Sequence, residues 1–440
     1  MTQTGTAGTS IGVGIMAVKK LPSLPRHLFW LIFAAVAIWE VGLISTSCFS
    51  PDWFVTSSWA RNIQTDGLGL VYAGKPLYNY PPLMAYSLWL FAKAFGNATA
   101  LQQNLYLYKL FPLAFDFAAA ALAVKWAGDR RREIICLLLL IANPVYIFDS
   151  YTWGQIDSIY CALVFFTLYA MVKDRTVAAA LLYTLAFNFK IQALLFAPLF
   201  GLIVLWKMNN PWPLKRLVTA GGAAILLQAA ILLPFLLAGQ GGRMFDILKN
   251  PVNYYHSVSM NAFNFWELFY GSKAFKLDDT VTRLGGWNAQ QIGLALFFGY
   301  SLLILGPMLV QIIKSKRQKL VLAWSEESLW LMCSLIPLGF LFFCTQMHER
   351  YSQPAILFLA VYSFRTRRYW LLALMLVAYG LNMEYVFEGY LYKGYWQVIF
   401  DPRLVAAVYA ILIAGLLWRY FQSLPTAGTA TTTKPALAHG

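Results

Sequence analysis

The sequence predicts an all-α polytopic membrane protein with about 12 transmembrane helices, and three observations carry that reading. Only 12% of its 440 residues are charged and 59% are hydrophobic, whereas soluble domains carry roughly 25% charged residues. Apolar stretches approaching the ~20 residues that a bilayer-spanning helix needs recur along almost the whole chain. The net charge of +15 falls in short basic clusters between those stretches, a pattern that orients a chain in a membrane and does not grip nucleic acid. No long polar block remains for a separate soluble domain, so one membrane-embedded domain over 27–421 is expected.

The elements follow in chain order. The polar segment 1–26 shows no cleavable signal peptide and carries Lys19, Lys20 and Arg26, which should hold it in the cytoplasm. A first span near 27–47 then delivers the chain to the outer face. The apolar run "PPLMAYSLWLFAKAFG" (81–96) presents a fork. Were it to cross, the next span would carry Arg130, Arg131 and Arg132 to the outside, against the positive-inside rule. Residues 81–96 are therefore expected to form an interfacial or re-entrant helix within one large external loop, 48–103. With that choice the clusters at Lys173 and Arg175, at Lys207, Lys215 and Arg216, at "KSKRQK" (314–319) and at "RTRR" (365–368) all fall inside. The expected spans are 27–47, 104–127, 133–148, 158–172, 176–189, 191–206, 216–238, 290–313, 327–344, 351–364, 369–385 and 402–421. Several are short for a bilayer core of about 30 Å. The segment 422–440 is low-complexity and reads as a disordered cytoplasmic tail.

The five cysteines (Cys48, Cys136, Cys161, Cys333, Cys344) lie mostly in apolar runs without C-x-x-C spacing. They read as small buried side chains, neither a zinc site nor a disulfide framework. Glu40 and Asp116 fall inside spans, where ionisable groups face protein or water. Lys109 and Asp116 stand seven residues apart, on one helical face.

This topology gathers the unusual polar segments on the outer side: 50–82, "FDSYTWGQIDS" (148–158), "FNFKIQ" (187–192), "NPVNYYHSVSMNAFNFWELF" (250–269) and "QMHERY" (346–351). They are rich in Trp, Tyr, Asn, Gln and Asp, the side chains that stack on sugar rings and bridge hydroxyls. Interfacial Trp and Tyr belts have the same composition in any membrane protein.

The ordered set of an early external aspartate, "YNYPPL", "DSYTWGQIDSIY", "FNFKIQALLFAPL", "SMNAFNFWEL" and "MHERY" resembles bacterial relatives of the dolichyl-phosphate-mannose-dependent mannosyltransferases, within the GT-C superfamily of membrane glycosyltransferases. The likeness runs over about residues 40 to 400. The histidine-glutamate-basic trio also resembles that of the lumenal glucosyltransferases of asparagine-linked glycosylation, with Arg350 where those keep lysine. The resemblance implies a GT-C-like fold whose first external loop carries interfacial helices. It implies transfer of a sugar, mannose or another hexose, from a polyprenyl-phosphate carrier to an acceptor hydroxyl on the outer face, with inversion. The membrane expected is the bacterial cytoplasmic (inner) membrane, or the ER membrane in a eukaryote. The acceptor class stays open among lipid, glycan and protein, and no nucleic acid is involved.

Such a reaction needs a base for the acceptor's proton and cations for the leaving phosphate. Asp52, just past the first span where the resembling enzymes keep their catalytic carboxylate, is the expected base. The competing reading is an aspartate opening the helix "WFVTSSWARNI". Asp66, in "QTDGLG", reads as a turn residue. Lys190, His348, Glu349 and Arg350 are expected around the donor phosphate, Arg350 as a planar fork of donors. A snorkelling lysine and a helix-capping turn compete with those roles. Tyr80, Trp153, Gln155, Asp157, Gln192, Asn261, Asn264 and Trp266 are expected to hold the sugar or acceptor. Asp52, Asp157 and Glu349 offer ligands for Mg²⁺ or Mn²⁺, but a monophosphate carrier leaves less charge to neutralise, and no metal or other cofactor is expected.

A polytopic transporter or flippase of a lipid-linked saccharide also fits the hydropathy. That class places polar groups near the bilayer midplane and shows repeated halves, whereas here they gather at loop ends and no repeat between the halves is evident. The topology has a direct test. A single cysteine placed beside Arg131, in a chain cleared of its natural cysteines, should resist membrane-impermeant reagents added outside. Labelling from outside would invert every later loop.

Overall fold

The computed structural model describes residues 25–46, 48–209, 212–249, 256–281, 283–318, 324–388 and 397–424. The expectations for the segment before residue 25 and for the tail after residue 424 lie outside these. The chain is almost entirely helical: α1 (Arg26–Gly42), α2 (Ser50–Asp66), α3 (Pro82–Lys93), α4 (Ala98–Gln103), α5 (Leu110–Ala127) and α6 (Glu133–Ile141) form the first third. Then come α7 (Asp157–Val172), α8 (Thr176–Phe189), α9 (Ala197–Asn209), α10 (Leu214–Leu237), α11 (Gly241–Lys249) and α12 (Phe265–Tyr270). The last third holds α13 (Ala289–Gln318), α14 (Glu326–Phe343), α15 (Pro354–Thr366), α16 (Tyr369–Phe387) and α17 (Pro402–Ser423). The sheet structure described is a two-stranded antiparallel pair, β1 (Arg283–Leu284) and β2 (Trp287–Asn288).

Seven stretches among the described residues are long and apolar enough to cross a membrane: Leu105–Ala127, Ile191–Met208, Leu214–Leu237, Ala289–Gln318, Glu326–Phe343, Tyr369–Phe387 and Pro402–Ser423. Two of them gain length from a tight 3₁₀ turn that leads into α5 and into α9. α7, α8 and α15 are apolar but shorter, at 16, 14 and 13 residues, or roughly 20 to 24 Å at 1.5 Å per residue. A helix therefore stands at each of the twelve places expected, but one boundary needs correcting. The expected span 133–148 is not continuous, because α6 stops at Ile141 after nine residues. Pro144 cannot continue the ladder, and the Asn143 side chain instead accepts from the Val145 N–H at 3.0 Å. α3, only 12 residues long, packs against α2 and α8.

The interior is built from α5, α7, α14 and α15, which pack pairwise. α14 is buried along most of its length, while α10 and α13 leave most of their surface open. On α13 the outward side chains Leu294, Phe298, Leu302, Leu309 and Ile313 repeat at helical spacing, a stripe suited to acyl chains. Basic clusters gather at one end of the bundle, where they pair across elements: Asp129 with Arg367 at 3.6 Å, Lys173 with Glu326 at 3.7 Å and Lys207 with Asp174 at 2.6 Å. The starts of α2 and α7 and the ends of α8 and α14 lie at the other end. Inside the bundle Asp116 accepts from the Ser150 hydroxyl at 2.5 Å, and Lys109 donates to the Ser45 carbonyl at 3.0 Å; the two serve separate structural bonds.

A tight contact between α13 and α14 runs through Gly339 of α14. The Tyr300 ring of α13 occupies the space where its Cβ would be, and the Tyr300 hydroxyl is anchored on the Leu335 carbonyl at 3.0 Å. Gly339→Ala should therefore overpack this contact and cost about 1–3 kcal/mol, read as a lower Tm in detergent. Tyr300→Ala in the same chain should recover part of the loss. An unchanged Tm in the single variant would mean that α13 is not seated there.

Candidate active site

The site forms where four short segments meet at the end of the bundle away from the basic clusters. The first is the start of α2, with Asp52 in its opening turn after Pro51. The second, Phe148–Trp153, is a wide helical turn ended by Gly154 at φ 87°. Only glycine suits that conformation and that space, since a Cβ there would press on Trp53 at 3.1 Å and on Cys48 and Lys109 at 3.4 Å. The Phe49 N–H donates to the Trp153 carbonyl at 3.0 Å and the two rings lie 4.2 Å apart. This join aims the "TWGQ" segment at Asp52. The Trp153 indole N–H and the Gln155 amide both donate to Asp52 Oδ2, at 2.9 and 2.8 Å. Asp52 does not cap α2, which has no side-chain cap bond.

Behind Asp52 runs a chain of alternating charges. Asp157 opens α7 and is buried. Its Oδ1 accepts from Lys190, in an ion pair shut away from solvent, and its Oδ2 lies 2.9 Å from Arg350 Nε. The latter contact is charge pairing without hydrogen-bond alignment. Arg350 Nη1 donates to Glu349 Oε1 at 2.5 Å, and Nη2 stands 3.9 Å from Asp52 Oδ2. Glu349 Oε2 in turn lies 3.8 Å from His348 Nδ1. Burial pushes the Glu349 carboxyl up, but Arg350 and His348 outweigh it and hold the group down at about 2. Burial likewise works against a charged Lys190, and the Asp157 carboxylate overturns it, so the ammonium is held above its ordinary range. Lys190 sits where α8 breaks into extended backbone, with the rings of Tyr351, Tyr160 and Tyr80 at 5.2, 5.7 and 5.8 Å. Such a ring cage favours a cation in a dry place.

A cavity of about 1230 Å³ opens in front of these groups. Asp52, Tyr80, Gln155, Lys190, Gln192, His348 and Arg350 line it. Trp153, Asp157 and Glu349 do not: they are buried and hold the lining residues from behind. Asn261, Asn264 and Trp266, expected on the sugar, are displaced from that role. The Asn264 side chain caps α12 and donates to the Leu341 carbonyl, and the Trp266 indole donates to the Phe343 carbonyl. Asn261 takes φ 63° beside the 346–348 turn, its carbonyl bound by the Asn382 amide. Asp66 ends α2, about 21 Å along the axis from Asp52. Asp157 is paired with Lys190 and Arg350, and Glu349 with Arg350.

Three residues escaped the sequence reading. Lys75 and Arg243 stand on the cavity wall; both are lone basic residues in segments that the topology had already placed outside, which was the available signal. Asp149 is fully buried and both carboxylate oxygens lack a donor. Burial first, then the nearby charge of Asp157, push its carboxyl well above the ordinary range, so it is held protonated. The cavity wall also carries apolar side chains, among them Leu194, Leu195 and Pro198 and, on α13, Leu294, Phe297 and Leu305.

Comparison with known proteins gives a consistent set of likenesses. Residues 84–272 match the family of the ALG3 protein. The chain is 28% identical to GPI mannosyltransferase 1 of Saccharomyces cerevisiae over 192 residues, 41% of this chain and 43% of that one. It is 22% identical to a probable dolichyl pyrophosphate Man9GlcNAc2 alpha-1,3-glucosyltransferase of Schizosaccharomyces pombe over 323 residues, 72% of this chain and 54% of that one. The chain thus spans about half the length of these curated relatives or less. Among solved structures, ArnT from Cupriavidus metallidurans in the apo state aligns with a TM-score of 0.47 and 13% identity, over 91% of this chain and 78% of that one. The sequence matches, to the ALG3 family, a mannosyltransferase and a probable glucosyltransferase, agree with the likeness to membrane glycosyltransferases read from the motifs.

Removing one partner from a buried ion pair leaves an uncompensated charge and costs about 3–5 kcal/mol. Asp157→Asn should therefore lower the Tm sharply, while Asp157→Asn with Lys190→Met should recover part of it. Glu349 adds a pH signature. Its folded value lies below the ordinary ~4.3, so its contribution is complete above that range and fades as pH falls toward 2. A thermal-unfolding series at falling pH on wild type and Glu349→Gln should converge at the acid end; parallel curves would contradict the pairing.

Proposed function

We propose that this chain, a relative of the GT-C membrane glycosyltransferases, transfers a hexose from a polyprenyl-phosphate carrier to an acceptor hydroxyl with inversion, and that mannose is the sugar. One observation carries the proposal: a single cavity is lined both by a fixed carboxylate and cations (Asp52, Lys75, Lys190, Arg243, Arg350) and by apolar side chains of the 191–198 segment, α13 and α14. That is the outline of a sugar phosphate on a lipid. A transporter would need polar groups along a path through the bundle, whereas Asp52, Lys190, His348 and Arg350 come from helix ends and turns.

Asp52 is the base in this reading. Trp153 and Gln155 both occupy Oδ2, which fixes the carboxylate plane and leaves Oδ1 to take the proton. As the acceptor oxygen bonds to the anomeric carbon, its proton passes to Asp52. The bond from that carbon to the carrier phosphate breaks, and the phosphate leaves with the electron pair. Arg350 and Lys190 face the cavity but are already neutralised by Glu349 and Asp157. We therefore assign the phosphate chiefly to Lys75, Arg243 and His348, with Arg350 Nη2 as the closest guanidinium contact. No metal enters these steps. The active end faces the outside of a bacterial cytoplasmic membrane, with a lipid, glycan or protein acceptor.

Purified protein offered a panel of polyprenyl-phosphate hexoses should release the free carrier phosphate, followed by mass spectrometry. Asp52→Asn should lower kcat by about 10² to 10⁴ with donor binding retained, since the amide keeps its size and cannot take the proton. Lys75→Ala with Arg243→Ala should act mainly on the donor KM. Activity of Asp52→Asn within a few-fold of wild type would remove it from the mechanism.

A further inference from the structure

His256, Asp278 and Asp279, from two loops bordering the 344–350 turn, place an imidazole nitrogen and two carboxylate oxygens within 4.8 Å of one another. We infer that they form a structural site for a divalent transition ion of the Zn²⁺ or Mn²⁺ kind, which clamps the 256–279 segment to the turn carrying His348 and Arg350.

Asp279 is the reason to read this cluster as more than surface polarity. It is fully buried, its Oδ2 accepts from the Thr345 hydroxyl at 2.7 Å and the Gln346 amide at 2.8 Å, and its Oδ1 has no hydrogen-bond donor. An unpartnered carboxylate oxygen in a dry place is costly unless a proton or cation meets it. His256 and Asp278 stand at the surface above it. Asp278 Oδ1 accepts from the backbone N–H and hydroxyl of Thr280, which leaves Oδ2 for an ion. Ligands on one ion at about 2.1 Å sit about 3 to 3.5 Å apart. The present spacing therefore closes chiefly by rotation of the exposed His256 side chain, with a small adjustment of Asp278 about its bonds to Thr280. One nitrogen with two oxygens suits a transition ion better than Ca²⁺, which takes six to eight oxygens.

The consequence lies in what Asp279 holds. The same loop lies along the turn: the Met260 N–H donates to the Met347 carbonyl at 3.0 Å and the Gln346 N–H to the Ser257 carbonyl at 3.1 Å. An ion here would fix residues 345–348 from outside without touching the cavity.

Tag-free full-length protein in nanodiscs, stripped with EDTA and dialysed against Zn²⁺, Mn²⁺ or Ca²⁺, should retain about one equivalent of a transition ion by mass spectrometry of the metal. Its Tm should rise with the ion. The doubly substituted His256→Ala, Asp278→Asn chain should lose both the equivalent and the rise, while matching the wild-type Tm in EDTA. Retention of the ion by that variant, or no ion on the wild type, would overturn the site; equal retention of Ca²⁺ would overturn the transition-ion class. Neither readout uses sugar transfer, so failure here and failure of the proposed reaction are distinguishable.

Discussion

Asp157 meets Lys190 and Arg350 where water does not reach, and the arrangement of the site depends on that meeting. Each of the three belongs to a different segment: the start of α7, the end of α8 and the turn after α14. A charge in this place is tolerated only beside its opposite, so the three segments must arrive together or not at all. Arg350 then reaches onward to Glu349 on one side and toward Asp52 on the other. The position of the exposed carboxylate is thus set by an ion network whose two other carboxylates, Asp157 and Glu349, stay behind the cavity wall. The Trp153 and Gln155 donors add the last restraint, since both sit on the segment that runs directly into Asp157.

The membrane explains why so much polar chemistry is crowded into turns. A helix in lipid satisfies its own backbone, so apolar helices such as α10 and α13 need little else from their outer faces. Polar and charged groups are then confined to helix ends or to bonds inside the bundle, as with Asp116 and Ser150. Short helices such as α7 and α8 help here. Because they fall short of the full bilayer thickness, their ends bring Asp157 and Lys190 to a level that loops from above can cover.

Much of this was legible in the sequence. Helices arise where the hydropathy placed them, because burial in lipid depends on composition averaged over a window. The side-by-side polar motifs also pointed to the right end of the bundle: Asp52, Lys190, His348 and Arg350 all line one cavity. What could not be read was which of the neighbours face it. Trp153 and Asp157 lie in the same motif as Gln155, yet they turn inward and Gln155 outward, a matter of the wide turn closed by Gly154. Asn264 and Trp266 carry side chains that suit a sugar equally well, and they bind the exposed carbonyls at the end of α14 instead. The break of α6 at Asn143 and Pro144 was readable from the proline, and the hydropathy of the run concealed it.

The charge balance of the site gives the most useful constraint on how an anionic carrier could approach. Three carboxylates (Asp52, Asp157, Glu349) stand with two cations (Lys190, Arg350) in this cluster, and burial pushes the neighbouring Asp149 carboxyl well above its ordinary range. Such a cluster does not attract phosphate by itself. Attraction must come from elsewhere on the wall, and Lys75 and Arg243 occupy separate segments there. In the proposed reaction this gives a division of labour: the buried pairs would fix Asp52, and the wall cations Lys75 and Arg243 would meet the phosphate. A fourth ionised carboxylate, at Asp149, would tip the cluster further negative and oppose an anionic ligand in the cavity.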